Sequence, residues 1–279
     1  MRACVLLALL TTLPGLAQET AKPLAVVNPI LQQFEDGPPL AGDYKFLPGE
    51  TVFFSFQVQG YQPSPDRQVG LTYTIETLDS DQIRIAEPSS DKLETAVTEL
   101  DKDWLPRIRY SVPLPPYALP GQYRIAARVK DELSGQQAAT EIQVNVGGRA
   151  VEKSDSLTLR NFRFLRGEED AEPLRPAAYK SGDALFARFD VTGYKIGEKN
   201  RILVICGISI VAPSGKEMFS EPRAAVDEEE TFYPKRYFLG AFSLNVQPKT
   251  TPGMYTLVIS VRDEVGGQTY QSRQPFRIE

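Results

Sequence analysis

The chain has 279 residues, of which 42% are hydrophobic and 24% charged, an ordinary composition for a folded protein of one or two domains. Its formal net charge of −5 argues against nucleic acid or an anionic membrane as a partner, because both bind basic surfaces. The sequence contains no histidine, which excludes Ser–His and Cys–His nucleophilic sites and the HExxH zinc site.

The first 17 residues predict a secretory signal peptide. Arg2 supplies the positive charge, an apolar run begins at Val5, and Gly15 and Ala17 are the small residues that precede a cleavage site. We therefore expect cleavage after Ala17 and a periplasmic or secreted protein. No later segment reaches the roughly 18 consecutive apolar residues of a membrane helix, so membrane insertion is not expected.

Apolar residues that alternate with other residues predict strands in the first half of the chain, because the side-chain period of a strand is two. The predicted inward-facing sets are Val52, Phe54, Phe56 and Val58; Val69, Leu71, Tyr73 and Ile75; and Tyr123, Ile125, Ala127 and Val129. The acidic segment from Leu93 to Leu100 is the one place where a short helix is expected.

Internal repetition sets the domain organisation. Residues 120–136 match residues 252–268 with eight of seventeen positions identical, whereas unrelated segments would share about one. Residues 52–61 match residues 185–194 at nearly the same offset, which indicates a duplicated domain. The predicted units are a first β-sandwich at 18–147, a linker at 148–156 and a second β-sandwich at 157–279. The fold class is therefore all-β.

Each repeat has the pattern Pro-Gly-x-Tyr at the start of its penultimate strand, ending at Tyr123 and Tyr255. This pattern resembles the tyrosine corner of immunoglobulin-like sandwiches. Together with the segment from Tyr44 to Phe54, it resembles bacterial immunoglobulin-like domains and macroglobulin-type sandwich domains. The resemblance implies two tandem immunoglobulin-like sandwiches and structural roles for both tyrosines. It does not imply a ligand, because a fold of this kind carries many functions.

Two residue classes remain as candidates for chemistry. After cleavage Cys206 is the single cysteine, and its apolar surroundings predict a buried thiol rather than a nucleophile or a macroglobulin-type thioester. The acidic clusters are Asp79 and Asp81, Asp101 and Asp103, Glu168 to Asp170, and Asp227 to Glu230. We interpret them as solvated loops, with calcium coordination as the alternative. No catalytic, cofactor or metal residue is predicted.

These observations predict a non-enzymatic binding or scaffold protein for a protein or glycan partner. A carboxylate-dependent hydrolase is the alternative. In the second repeat, Leu203 and Ile205 interrupt the polar outer face, and Val258 lies on the corresponding face of the neighbouring strand. We expect these three residues to form an exposed partner surface or homodimer surface. The competing interpretation is that the loop from Pro213 to Pro234, the first domain or the N-terminal segment covers them.

Overall fold

Strands in the computed structural model follow the alternation of apolar residues in both repeats. The structure describes residues 22–101 and 103–279, so the predicted signal peptide lies outside the described residues. The chain forms two tandem β-sandwiches, each with one three-stranded and one five-stranded sheet.

Eight strands build the first sandwich. They are β1 (Ala25–Gln32), β2 (Lys45–Phe46), β3 (Thr51–Gln59), β4 (Gln68–Leu78), β5 (Ser89–Ala96), β6 (Arg107–Pro113), β7 (Gly121–Asp131) and β8 (Gln137–Val146). The sheet β1-β3-β6 packs against the sheet β2-β8-β7-β4-β5, in which β2 is parallel to β8 and the other pairs are antiparallel.

The second sandwich repeats this order. Its strands are β9 (Thr158–Leu165), β10 (Ala178–Tyr179), β11 (Ala184–Thr192), β12 (Ile202–Val211), β13 (Glu217–Glu229), β14 (Tyr237–Asn245), β15 (Gly253–Asp263) and β16 (Gln268–Ile278). The sheets are β14-β11-β9 and β10-β16-β15-β12-β13. Strand for strand this is the same immunoglobulin-like arrangement. Short 3-10 helices occupy Glu99–Asp101 and Glu198–Asn200.

Each sandwich has its own hydrophobic core between its two sheets. Phe54, Phe56 and Leu71 are almost completely buried in the first core, and Leu185, Ile202 and Leu257 in the second. Burial of such a side chain contributes about 1.5–3 kcal/mol. The inner faces predicted from period-two alternation are therefore the faces that hold the sheets together.

The repeated Val-x-Gly-Tyr motif is explained by a close backbone crossing at the end of β3 and β11. Gly60 has φ +77°, and a Cβ there would lie 2.1 Å from the carbonyl oxygen of Pro23. Gly193 has φ +78°, and a Cβ there would lie 2.0 Å from the carbonyl oxygen of Ser156. Only glycine fits both the positive φ and the space, so the duplicated glycine fixes where each domain begins its first strand.

Two segments differ from the sequence-based expectation. In the segment from Leu93 to Leu100, where a short helix was expected, the first half belongs to strand β5, in which Leu93 pairs with Leu71 of β4, and only the end enters the 3-10 helix Glu99–Asp101. The expected loop from Pro213 to Pro234 contains the 13-residue strand β13, which pairs with β12. Neither segment has strong alternation of its own. Hydrogen bonding to a neighbouring strand provides the order that local sequence does not.

Candidate functional site

The predicted patch of Leu203, Ile205 and Val258 is not an exposed surface. Ile205 is 5% exposed and Val258 is 4% exposed, so the prediction is wrong for these two residues, and Leu203 is half-buried. Next to Ile205, the pairing of β12 with β13 has a bulge at Gly207, where a Cβ would lie 2.8 Å from the carbonyl oxygen of Pro222. This face therefore lacks the exposed apolar surface that was expected for a partner or dimer contact.

Longer side chains on the neighbouring strands stand on the same face as the buried patch. Arg262 is the cross-strand partner of Ile205, and Arg273 is the partner of Val258. Directly opposed residues point to the same face of a sheet. The aliphatic stems of such arginines can cover apolar neighbours while the charged heads remain in water, which is why an apolar run here does not imply an apolar surface.

Tyr123 and Tyr255 make the backbone contact that defines a tyrosine corner. The Tyr123 hydroxyl donates to the carbonyl oxygen of Leu119 at 2.9 Å, and the Tyr255 hydroxyl donates to that of Thr251 at 2.9 Å. Both acceptors lie four residues upstream. The two tyrosines are therefore structural residues in equivalent positions.

Cys206 lies in the second core and is 3% exposed, which confirms the predicted burial. Burial raises the pKa of its thiol to about 12, with the charge of Asp227 acting in the same direction. Because the thiolate is the nucleophile, a thiol held in its neutral form does not serve as one.

The acidic clusters make contacts within the fold. Asp79 is 1% exposed and accepts the backbone N–H groups of Asp81 and Ile83, both at 2.8 Å. Asp170 accepts the N–H of Gly167 at 2.8 Å in the same manner. Across residues 22–101 and 103–279, no group of three or more acidic or cysteine side chains has a geometry suited to a metal ion.

An opening between two edge strands is the most distinctive feature of the second sandwich. We call this opening between β13 and β14 the open seam. At one end it leads into an apolar cleft of about 490 Å³ that reaches the second core. The lining side chains include Ile210, Met218, Phe219, Leu244, Tyr255 and Phe276. Met218 and Phe219 stand at its mouth with exposed fractions of 61% and 41%.

The same position in the first sandwich is closed. Ile85, whose N–H bonds to the carbonyl of Thr77, is 5% exposed and belongs to the first core. The Thr77 hydroxyl also meets the Tyr110 hydroxyl at 3.0 Å, which joins the two sheets. In the second copy Ile210 takes the position of Thr77 and lies opposite Phe219, and Phe242 takes the position of Tyr110. The polar bond between the two sheets therefore cannot form there.

The other end of the open seam meets the first domain in a second cleft of about 650 Å³. It is lined by Tyr117 and Arg149 on one side and by residues of β13 and β14 on the other. Lys235 lies here with its ammonium 2.8 Å from the Asp227 carboxylate and 3.1 Å from that of Glu229. Burial alone would lower the pKa of Lys235, but the hydrogen bonds and charges of the two carboxylates outweigh it and raise the pKa.

Tyr233, just before β14, anchors the second domain in the first. Its side chain is 2% exposed and belongs to the first hydrophobic core. Its hydroxyl donates to Asp79 Oδ2 at 2.9 Å, and Arg236 Nη2 donates to the same oxygen at 2.9 Å. Tyr117 stacks on the Tyr233 ring at 5.9 Å and donates to its carbonyl oxygen at 3.1 Å. We call these four residues the domain clamp.

Burial also raises the pKa of Tyr233, so its hydroxyl remains protonated and able to donate. The hydroxyl lies 3.4 Å from that of Tyr123, which links the domain clamp to the first tyrosine corner. Sequence reasoning missed both the domain clamp and the open seam. The replacement of Thr77 and Tyr110 by Ile210 and Phe242 between the repeats was a readable sign of the open seam.

No protein-family model matches the chain, and no curated protein sequence matches it. Solved structures resemble it weakly. The C-terminal domain of Wzt has 12% identity and a TM-score of 0.32, and the match covers 46% of this chain and 76% of that chain. The Pseudomonas fluorescens DNA glycosylase AlkC bound to DNA has 11% identity and a TM-score of 0.30, and the match covers 46% of this chain and 31% of that chain. The chain thus spans less than a third of AlkC.

A family 123 glycoside hydrolase from Clostridium perfringens has 10% identity and a TM-score of 0.30, with coverage of 44% of this chain and 27% of that chain. Likeness at this level carries no argument about function. Within the part of the chain that the structure describes, no helix has the length and apolarity needed to cross a membrane.

Proposed function

We propose that the chain is an exported, non-enzymatic binding protein that holds its partner along the open seam, with the first sandwich as a fixed support. The observation that carries the proposal is the difference between the two copies. In the first sandwich the corresponding position is closed by Ile85 and by the Thr77–Tyr110 bond. In the second sandwich the open seam exposes Phe219 above an apolar cleft. Exposed apolar clefts of this size are typical of binding sites.

The domain clamp supports this role, because it fixes the end of the open seam against the first domain. Tyr233 and Arg236 belong to the segment that leads directly into β14, one border of the open seam. A partner lying along the open seam would therefore meet a border that is held in place. Binding to a preorganised surface loses less free energy to ordering.

The hydrolase alternative has less support. A glycoside hydrolase needs one protonated carboxyl group and one ionised carboxylate that face each other across the substrate. Asp227 and Glu229 both bind the ammonium of Lys235, within 2.8 and 3.1 Å. Both carboxylates are therefore paired with the same ammonium and do not face each other across an open space for a substrate.

Paired variants test the proposed function. The mature protein and its Met218→Glu/Phe219→Glu variant are used to capture partners from the extracytoplasmic fraction of the native cell. The control is Phe34→Glu/Leu133→Glu, which changes two first-domain residues of 56% and 50% exposure by the same charge. We expect a partner to co-purify with the wild type and with the control but not with the seam variant. Equal capture by all three proteins would contradict the proposal.

Export is tested separately. Intact-mass measurement of protein from the extracytoplasmic fraction should show Gln18 as the first residue. Full-length protein recovered from the cytoplasm would contradict cleavage after Ala17.

A further inference from the structure

We propose that the open seam receives an extended, basic polypeptide segment, which adds as a strand to the free edge of β13 and places alternate apolar side chains in the apolar cleft. This inference rests on the proposed function and specifies the chemistry of the partner. It follows from three properties of the open seam, namely a free strand edge, an apolar cleft beside it and an excess of acidic residues.

The free edge belongs to an unusually exposed strand. β13 has 13 residues, and within the described part of the chain it pairs only with β12. Twelve of its residues are exposed and Asp227 is intermediate. The corresponding strand of the first copy, β5, has eight residues. An edge strand presents N–H and C=O groups that can pair with another extended chain.

The apolar cleft lies where every second side chain of an added strand would point. Phe219 is the cross-strand partner of Ile210, and both face the interior between the two sheets. Side chains of a strand alternate between its two faces. A segment paired beside Phe219 would therefore direct alternate residues towards Leu244 and Phe276. An acyl chain could fill the same cleft, but it would leave the backbone groups of the edge without partners.

The charge of β13 selects among polypeptides. The strand carries five acidic residues and one basic residue, Arg223. Arg201 and Lys235 neutralise part of its C-terminal half. In the described structure no ion pair involves Glu217 or Glu221, which flank Met218 and Phe219. A strand with lysine or arginine between its apolar residues complements this edge, whereas a second copy of β13 would oppose acid to acid.

A random 12-residue peptide library tests the inference directly. The library is panned against the mature protein, and the enriched peptides are titrated by fluorescence anisotropy. We expect apolar residues at every second position with lysine or arginine between them. Affinity should fall at least tenfold when alternate backbone nitrogens of the peptide are methylated, because methylation removes donors needed for strand pairing.

Variants locate the peptide. Affinity should fall at least tenfold for Met218→Glu/Phe219→Glu and for Glu217→Lys/Glu221→Lys, and it should remain unchanged for Phe34→Glu/Leu133→Glu. Lauric acid and dodecyl lysophosphatidylcholine are titrated in parallel, and the inference expects no saturable binding of either at the open seam.

The outcomes separate this inference from the proposed function. Peptides with helical spacing, indifference to N-methylation, no enrichment, or binding of the two lipids in place of peptides would overturn the extended-strand inference. In those cases the capture experiment still decides the proposed function. Enriched peptides that bind equally to the seam variant and the control would overturn the inference by placing the peptide site elsewhere.

Discussion

Asp131 and Asp263 show how single residues explain the duplicated sequence. Both carboxylates are completely buried. Asp131 accepts the backbone N–H groups of Leu133 at 3.0 Å and Gln62 at 2.9 Å. Asp263 accepts those of Val265 at 3.0 Å and Lys195 at 2.9 Å. Each aspartate therefore joins the last hairpin turn of its sandwich to the segment that follows β3 in the first copy or β11 in the second. Because both copies make this contact, both have aspartate at this position.

Removing either carboxylate should strongly destabilise its sandwich. Asp131→Ala and Asp263→Ala each leave at least two partly buried N–H groups without acceptors, and each unpaired group costs up to about 1–3 kcal/mol. We expect a loss of about 3 kcal/mol in the free energy of unfolding, measured by denaturant titration. Glu264→Ala, at a neighbouring position that is exposed, is the control and should change it by less than about 0.5 kcal/mol. A small effect from both aspartate variants would contradict the role assigned to them.

Cys206 gives a prediction about pH and reactivity. Native protein at about pH 8 should label slowly with a thiol reagent and quickly after unfolding, because the buried thiol stays protonated. The folded pKa is raised from 9.0 to about 12, so the stabilising contribution is complete below pH 9 and is lost as the pH rises towards 12. Cys206→Val should lose less stability than the wild type over this interval in alkaline denaturant titrations. Fast labelling of the native protein would contradict burial.

At the scale of strands, the two sandwiches differ in how their sheets meet. Thr77 on β4 and Tyr110 on β6 form a hydrogen bond of 3.0 Å between the sheets of the first copy. Thr77 is 1% exposed. The bond therefore both closes the seam and satisfies a buried hydroxyl group.

Tyr110→Phe should weaken the first sandwich by about 1 kcal/mol, because it removes this bond and leaves the Thr77 hydroxyl without its partner. The change introduces the residue type that the second copy has at Phe242. Denaturant titration measures the effect. Tyr44→Phe is the matched control, since the Tyr44 hydroxyl is exposed and the substitution would remove only a contact of 3.5 Å to the Glu50 carboxylate. Equal stability of the Tyr110 and Tyr44 variants would show that the bond does not stabilise the first sandwich.

Alternation predicted the inner face of each main strand, because that face is set by the strand's own period and recurs in both copies. It could not predict the cover of the outer face. Ile205 and Val258 are buried, and their cross-strand partners Arg262 and Arg273 belong to neighbouring strands. β13 itself was predicted to be a loop, since its acidic sequence does not alternate and its order comes from pairing with β12. The open seam lies between two strands, β13 and β14, so no single segment predicts it.

At the scale of the whole molecule, the two sandwiches are joined by more than the linker. Tyr233 is contributed by the second domain but is buried in the core of the first. Lys153 of the linker adds a contact of 2.6 Å to Asp81, and Arg236 lies 2.9 Å from the buried Asp79 carboxylate. Because Tyr233 of the second domain is buried in the core of the first, it couples the stability of the first domain to the position of the second.

Tyr233→Ala should uncouple the domains. Truncating a large buried aromatic side chain typically costs about 3–5 kcal/mol, and here the loss falls on the first sandwich and on the domain contact. Calorimetry should show a lowered transition for the first sandwich, with the second nearly unchanged, and small-angle scattering should show a wider range of domain orientations. Tyr233→Phe keeps the stacking on Tyr117 and removes only the contacts of the hydroxyl, with Asp79, Arg236 and Tyr123, so it should have a smaller effect. Phe232→Ala, at a neighbour that is 48% exposed, is the control. If Tyr233→Ala and Phe232→Ala behave alike, Tyr233 does not couple the domains, and the border of the open seam formed by β14 is not fixed by the first sandwich.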